Sequence, residues 1–307
     1  MFGNDNIIRI DLHLPTAWNR CTTEELEAIA AAIIQEQQRV DRYHPFDWSR
    51  VKLSVVLAVN SITVLRDNDI TKGGDASDTE WLVRRPDDKE PWSISVGQLL
   101  SLTEMLAWID DEKASKIIFQ FPYMQMTVGE RTLQGPRPLL DGYTWKEYRW
   151  MTDWMTEYIR CNNAMEKMNN DKARAQNQAA LDRARNEFLA LMFKPKDDAQ
   201  PMFNIQSSMF NDFSPIKWQV VLFWWSSLMQ QLSFKFPKVF KSSNIGKKRN
   251  PRNNSPWDFY NLVTATVQKY IGGLSSQDVD NQPYGVTLQQ LEMMADEAAE
   301  MEKLKRK

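Results

Sequence analysis

From Leu26 onward the apolar residues Leu26, Ile29, Ala30, Ile33 and Ile34 recur at three- and four-residue steps, which predicts a one-sided helix running to about residue 39. Its start is marked by Thr22 and Glu25. A threonine followed three residues later by a glutamate can satisfy two free backbone N–H groups of a first turn reciprocally. Asp47 can cap a second helix, DWSRVKLSVVLAVN, which leads into the β-branched ITVL. The alternation of IIRIDLHLP before them predicts a strand with His13 outward or at an edge. EWLVRR and WSIS, on either side of a proline-bearing turn, join ITVL in an expected small antiparallel sheet. Ser95 with Gln98 repeats the capping pattern and opens a further helix, VGQLLSLTEMLAWI, ending in the acidic run Asp110 to Glu112.

The pattern changes at 117–142, where apolar residues mix with proline and glycine at turn positions. This stretch reads as an irregular connection between an N-terminal α+β subdomain, 1–116, and a helical subdomain, 143–307. In the latter, Thr144 and Glu147 cap a strong helix. Trp145, Tyr148, Trp150, Met151, Trp154, Met155, Tyr158 and Ile159 cover half of it, and Lys146, Arg149, Asp153, Glu157 and Arg160 form a solvated other half. Residues 162–187 have high helix propensity but few large apolar side chains, so a projecting or thinly packed helix is expected. Residues 194–201 read as a linker. A cap and first-turn proline at Ser214 and Pro215 precede IKWQVVLFWWSSLMQQL, and Pro237 follows it. The fold class expected is mainly α with a small antiparallel β element near the N-terminus.

IKWQVVLFWWSSLMQQL is too interrupted to span a bilayer, because its longest unbroken apolar run is VVLFWW and a span needs about 18 or more apolar residues. Trp218, Leu222, Trp225, Met229, Leu232 and Phe236 make a seam along it. Val220, Phe223 and Trp224 lie opposite and become candidates for partner contact. A last helix, 287–307, boxed by Thr287 and Gln290, carries Leu291, Met294 and Met301 in an apolar stripe that either docks on the body or meets a partner.

Composition narrows the chemistry. The formal charge of −2 provides no global field for nucleic acid or anionic lipid. The acid-free basic loop 235–254, with Lys247, Lys248, Arg249 and Arg252, could grip phosphates. The preferred reading is a solvated loop or a contact with an acidic protein, since no wider basic surface supports it. Two cysteines, Cys21 and Cys161, in no ligand spacing fit a reducing compartment, and two histidines stand in no catalytic or metal motif. The Asp67–Asp78 loop resembles a calcium loop but places Lys72 and Asp78 where glycine and glutamate belong. No secretory signal, cofactor, metal site or enzymatic activity is expected.

Three stretches, LPTAWNRCTTEELEAIAAAI, WLVRR and WKEYRWMTDWMTEYI, together with the closing WQVVLFWW, FPKVF, PWDFYNLVTATVQKYIG and YGVTLQQLEMMADEA, resemble phage and prophage tail-assembly proteins of Bacteroidetes. The resemblance implies a non-enzymatic, chaperone-like role in the host cytoplasm, shielding tape-measure or tail-tube proteins before assembly. The alternatives are a structural tail or neck component of the virion and, last, a nucleic-acid-binding protein using the basic loop.

Overall fold

The computed structural model describes residues 11–41, 43–66, 80–111, 114, 116–128, 131–165, 168, 170–195, 205–240, 264, 267–269, 272 and 274–305. It is a mainly helical α+β fold with two small antiparallel sheets. The chain forms two compact units, Met1–Ile118 with Ser214–Phe223, and Phe119–Phe213 with Trp224–Lys307. A helix that reads as one element in sequence thus contributes to both units.

The first unit begins with α1 (Thr23–Arg39) and α2 (Trp48–Val59). Thr22 accepts the Glu25 N–H while the Glu25 carboxylate accepts that of Thr22, so the capping box forms as its spacing predicts. Leu26, Ile29, Ala30 and Ile33 of α1 and Val51, Val55 and Val56 of α2 are buried, and the two helices pack against each other. Strands β1 (Thr63–Arg66), β2 (Glu80–Arg84) and β3 (Trp92–Ser95) form one antiparallel sheet in that order. A register shift falls between Val64 and Arg66. Helix α3 (Val96–Glu104) follows from the Ser95–Gln98 box. Trp18 lies edge-on to Trp108 at 5.3 Å and to Phe223 at 5.2 Å. Of the strand expected at IIRIDLHLP, the part within the described residues is irregular. There His13 exchanges backbone hydrogen bonds with the Asn60 amide instead of a strand ladder.

In the second unit the expected irregular stretch contains a hairpin, β4 (Gln125–Val128) with β5 (Arg131–Gln134). A third strand, β6 (Lys194–Pro195), pairs with β5, so the start of the expected linker is sheet. Gly135 makes the close turn out of β5 possible. A Cβ there would lie 2.4 Å from the Tyr123 carbonyl oxygen and 2.5 Å from a Phe121 ring carbon.

Helices α4 (Trp145–Met165) and α5 (Asp171–Met192) pack along each other. The segment expected to be projecting or thinly packed lies along α4 and is thinly packed at first: from Asp171 to Ala180 only Asn177 is buried, and burial becomes dense from Leu181. Ala184 is fully buried, small residues let the helices approach, and Asn177 donates to the Cys161 carbonyl at 2.7 Å. The face of α4 expected to be solvated also departs from its pattern. Arg149 and Asp153 are 7% and 8% exposed, and Arg149 reaches Asp280 at 3.6 Å.

Helix α6 (Pro215–Lys235) is buried nearly all round from Trp218 to Trp225 and opens to solvent at Ser226, Phe234 and Lys235. Short helices α7 (Pro237–Phe240) and α8 (Ser276–Asn281) precede α9 (Tyr284–Lys305). Helix α9 starts three residues before the expected Thr287 box. Thr287 lies inside the first turn, fully buried, and the chain enters through the Thr144–Pro283 bridge. No helix among the described residues is long and apolar enough to cross a membrane.

Candidate partner-binding surface

The six apolar candidates separate into core and surface. Val220 is fully buried and Trp224 is 1% exposed, packed edge-on against Phe121 at 4.9 Å. Phe223 is half-buried and covered by the Trp18 ring. Val220 and Trp224 are corrected from partner contacts to core, Trp224 because the Phe121 ring packs on it, whereas Phe223 stays half-buried beside Trp18. Leu291 and Met294 are half-buried, whereas Met301 is 61% exposed. Lys247, Lys248, Arg249 and Arg252 lie outside the described residues, as does the Asp67–Asp78 loop.

Helix α9 carries a second apolar row that the sequence stripe obscured. At about 100° per residue, Tyr284, Leu288 and Leu291 share one side of the helix, and Val286, Met293 and Leu304 fall within about 20° of one another on the opposite side. Tyr284 and Leu288 are buried; Val286, Met293 and Leu304 are exposed. The docked side packs against α4, where Tyr284 stacks on Tyr148 at 4.9 Å. Burial also pushes the Tyr284 phenol well above its ordinary pKa, so it remains a hydrogen-bond donor, given to the Leu139 carbonyl. Helix α7 packs against α9 as well, with its first N–H groups on Glu292 and Lys238 paired to Asp296.

The outward row runs from Val286 to Leu304, about 27 Å at 1.5 Å per residue, with Met301 beside it. Glu297, Glu300 and Lys303 are exposed along the same stretch. Unbranched methionines adapt their shape to what they meet, which suits such a row to helix docking. The signal for it was the seven-residue step from Val286 to Met293 and the eleven-residue step to Leu304. It was masked because the helix is apolar on two sides.

His13 Nε2 lies 2.6 Å from Glu25 Oε1, and His44 Nδ1 lies 3.0 Å from Asp41 Oδ1, so each imidazole faces a carboxylate. Hydrogen bonding to His44 and to the Tyr43 and His44 backbone holds Asp41 below the usual carboxylate range. Burial, with Glu25 nearby, raises the Cys21 thiol to about 12, and burial raises Cys161 too; neither is a ready thiolate. Asp153 is raised to about 6 by burial against the opposing pull of Arg149. Among the described residues no group of three or more His, Cys, Asp or Glu side chains could hold a metal ion.

Comparison with protein-family models, with curated proteins and with solved structures finds no match to this chain.

Proposed function

We propose that the protein works by binding other proteins, as a non-enzymatic phage tail-assembly chaperone in the host cytoplasm. The reading takes its biological setting from the resemblance carried by the N-terminal, α4 and C-terminal motifs. The observation that carries the binding role is the outward row of α9, with Val286, Met293, Met301 and Leu304 between 42% and 71% exposed on a helix whose other side is docked. Apolar side chains in such a row lose water contact when a partner helix covers them, which favours association at about 25 cal/mol per Å² of apolar surface before the costs of ordering. The partner in this reading is a tape-measure or tail-tube subunit, whose own apolar surface is held until assembly.

Co-expression with the tape-measure and tail-tube proteins of the same gene cluster tests the reading. A co-purifying complex and a gain in the partner's soluble yield are expected. No complex and no gain would remove the chaperone role. Recovery of the protein in purified particles would make it a virion component instead.

A further inference from the structure

The outward row of α9 is not uniformly apolar. Placed at about 100° per residue, Glu297 and Glu300 fall within about 40° of the line through Val286, Met293 and Leu304, and they interrupt it between Met293 and Leu304. Both glutamates are exposed. No lysine or arginine of the helix lies within about 60° of that line, Lys303 standing about 100° away from it. Lys238, which reaches α9 from α7, is paired to Asp296 on the flank, and the Glu292 carboxylate is taken by the first N–H groups of α7. Along the row the surface therefore reads apolar, acidic, apolar.

The two acids discriminate among occupants. A second copy of this chain fits poorly. In a parallel pair each glutamate meets its own equivalent, and in an antiparallel pair the register that sets Met293 of one copy against Leu304 of the other also sets Glu297 against Glu300. Like charges then face each other in the place where closing the apolar contacts removes the water that screens them. A lipid surface fits no better, since helices that lie in it flank their apolar side with lysine and arginine to meet anionic headgroups. A partner helix that is apolar throughout would strip both carboxylates of water without a counter-charge. We propose that the row receives an amphipathic helix of a partner protein that carries lysine or arginine between two apolar stretches, the apolar side chains resting on Val286, Met293 and Leu304 and the cations meeting Glu297 and Glu300. The proposal rests on the protein-binding reading above and deepens it by fixing the sign of the partner's charge.

The probe is a fluorescein-labelled alanine-based helical peptide with leucines spaced to meet Val286, Met293 and Leu304 and two lysines spaced to meet Glu297 and Glu300. Its counterpart has glutamate at both lysine positions. In anisotropy titrations with the full chain, the lysine peptide is expected to bind about tenfold more tightly than the glutamate peptide at low salt, with the gap narrowing as salt is raised. Glu297→Lys combined with Glu300→Lys should reverse the order, and serine at Val286, Met293 and Leu304 should abolish both interactions, each in a protein whose circular dichroism is unchanged. Equal binding of the two peptides, no binding of either, or a preference untouched by the double lysine variant would overturn the proposal. So would a dimer of the chain, seen by sedimentation, that the serine variant dissociates, because a second copy would then hold the row. Loss of the co-expressed tail-protein complex alone would instead remove the tail role and leave this peptide result standing.

Discussion

The carboxylate of Glu292, on α9, accepts the backbone N–H of Lys238 at 3.0 Å and that of Val239 at 3.1 Å, tying together residues 54 and 53 positions apart. A negative group here meets the free N–H groups of the first turn of α7, an electrostatically favourable place for it. Glu292→Ala should lower stability by about 1 kcal/mol, the usual scale of a lost helix cap, whereas Glu292→Gln, which keeps an acceptor, should lose less. Urea unfolding gives the difference. Amide exchange locates it: the Lys238 and Val239 protons should lose protection first, and unchanged protection in the alanine variant would mean the contact holds nothing in place.

Asp153 makes the sign of one pH dependence definite. Burial raises its folded-state pKa from 3.8 to about 6, so between those values the native protein holds a proton that the unfolded chain releases. Stability from this group is fully present below about pH 3.8 and is lost as pH rises through 6. Asp153→Asn should therefore match the wild type near pH 3.5 and exceed it at pH 7 by about 1–3 kcal/mol, one pKa unit being worth about 1.4 kcal/mol. Carboxylates whose pKa is lowered, such as Asp41, Glu157 and Asp278, push the other way in both proteins. The difference between the two urea midpoints isolates Asp153, and midpoints that run parallel with pH would refute the assignment.

Gly135 is replaceable only at a cost set by backbone. Its absent Cβ would sit against the Tyr123 carbonyl and the buried Phe121 ring, and that ring is itself fixed by Trp224 at 4.9 Å and Phe193 at 5.7 Å. Gly135→Ala should destabilise by about 1–3 kcal/mol or more, the range for overpacking a tight site. A thermal midpoint equal to that of the wild type would show that the turn can open.

How much of this was readable in sequence depends on how local each feature is. The Thr22–Glu25, Ser95–Gln98 and Thr144–Glu147 caps involve neighbours three residues apart, and all three form with the expected partners. The seam along α6 and just past it follows its spacing in part: Trp218, Trp225, Leu232 and Phe236 are buried, while Leu222 and Met229 are half-buried. Features made by distant residues were hidden. The second sheet needs Lys194–Pro195 to meet Leu133 and Gln134, and proline and glycine around β4 and β5 disguised the short alternation MQMTV. Arg149 and Asp153 looked solvated because their burial comes from elements far along the chain, including Asp280. The partner-binding candidates Val220 and Trp224 are the same error reversed, since a cover such as Phe121 cannot be inferred from the period of α6.

That contrast gives the sharpest comparison between core and surface. Val286, Met293 and Leu304 are 42%, 51% and 71% exposed, so a triple serine substitution on α9 removes little that folding buries. Surface changes of this kind usually stay within about 0.5 kcal/mol each, whereas Trp224→Ala should cost about 3–5 kcal/mol through the cavity it leaves. The triple variant should thus unfold close to the wild-type urea midpoint while failing to retain the tape-measure or tail-tube partner on co-purification. If the triple variant instead unfolds as early as Trp224→Ala, the row is covered within the folded chain. If it is stable and the complex persists, partner contact lies elsewhere on the protein.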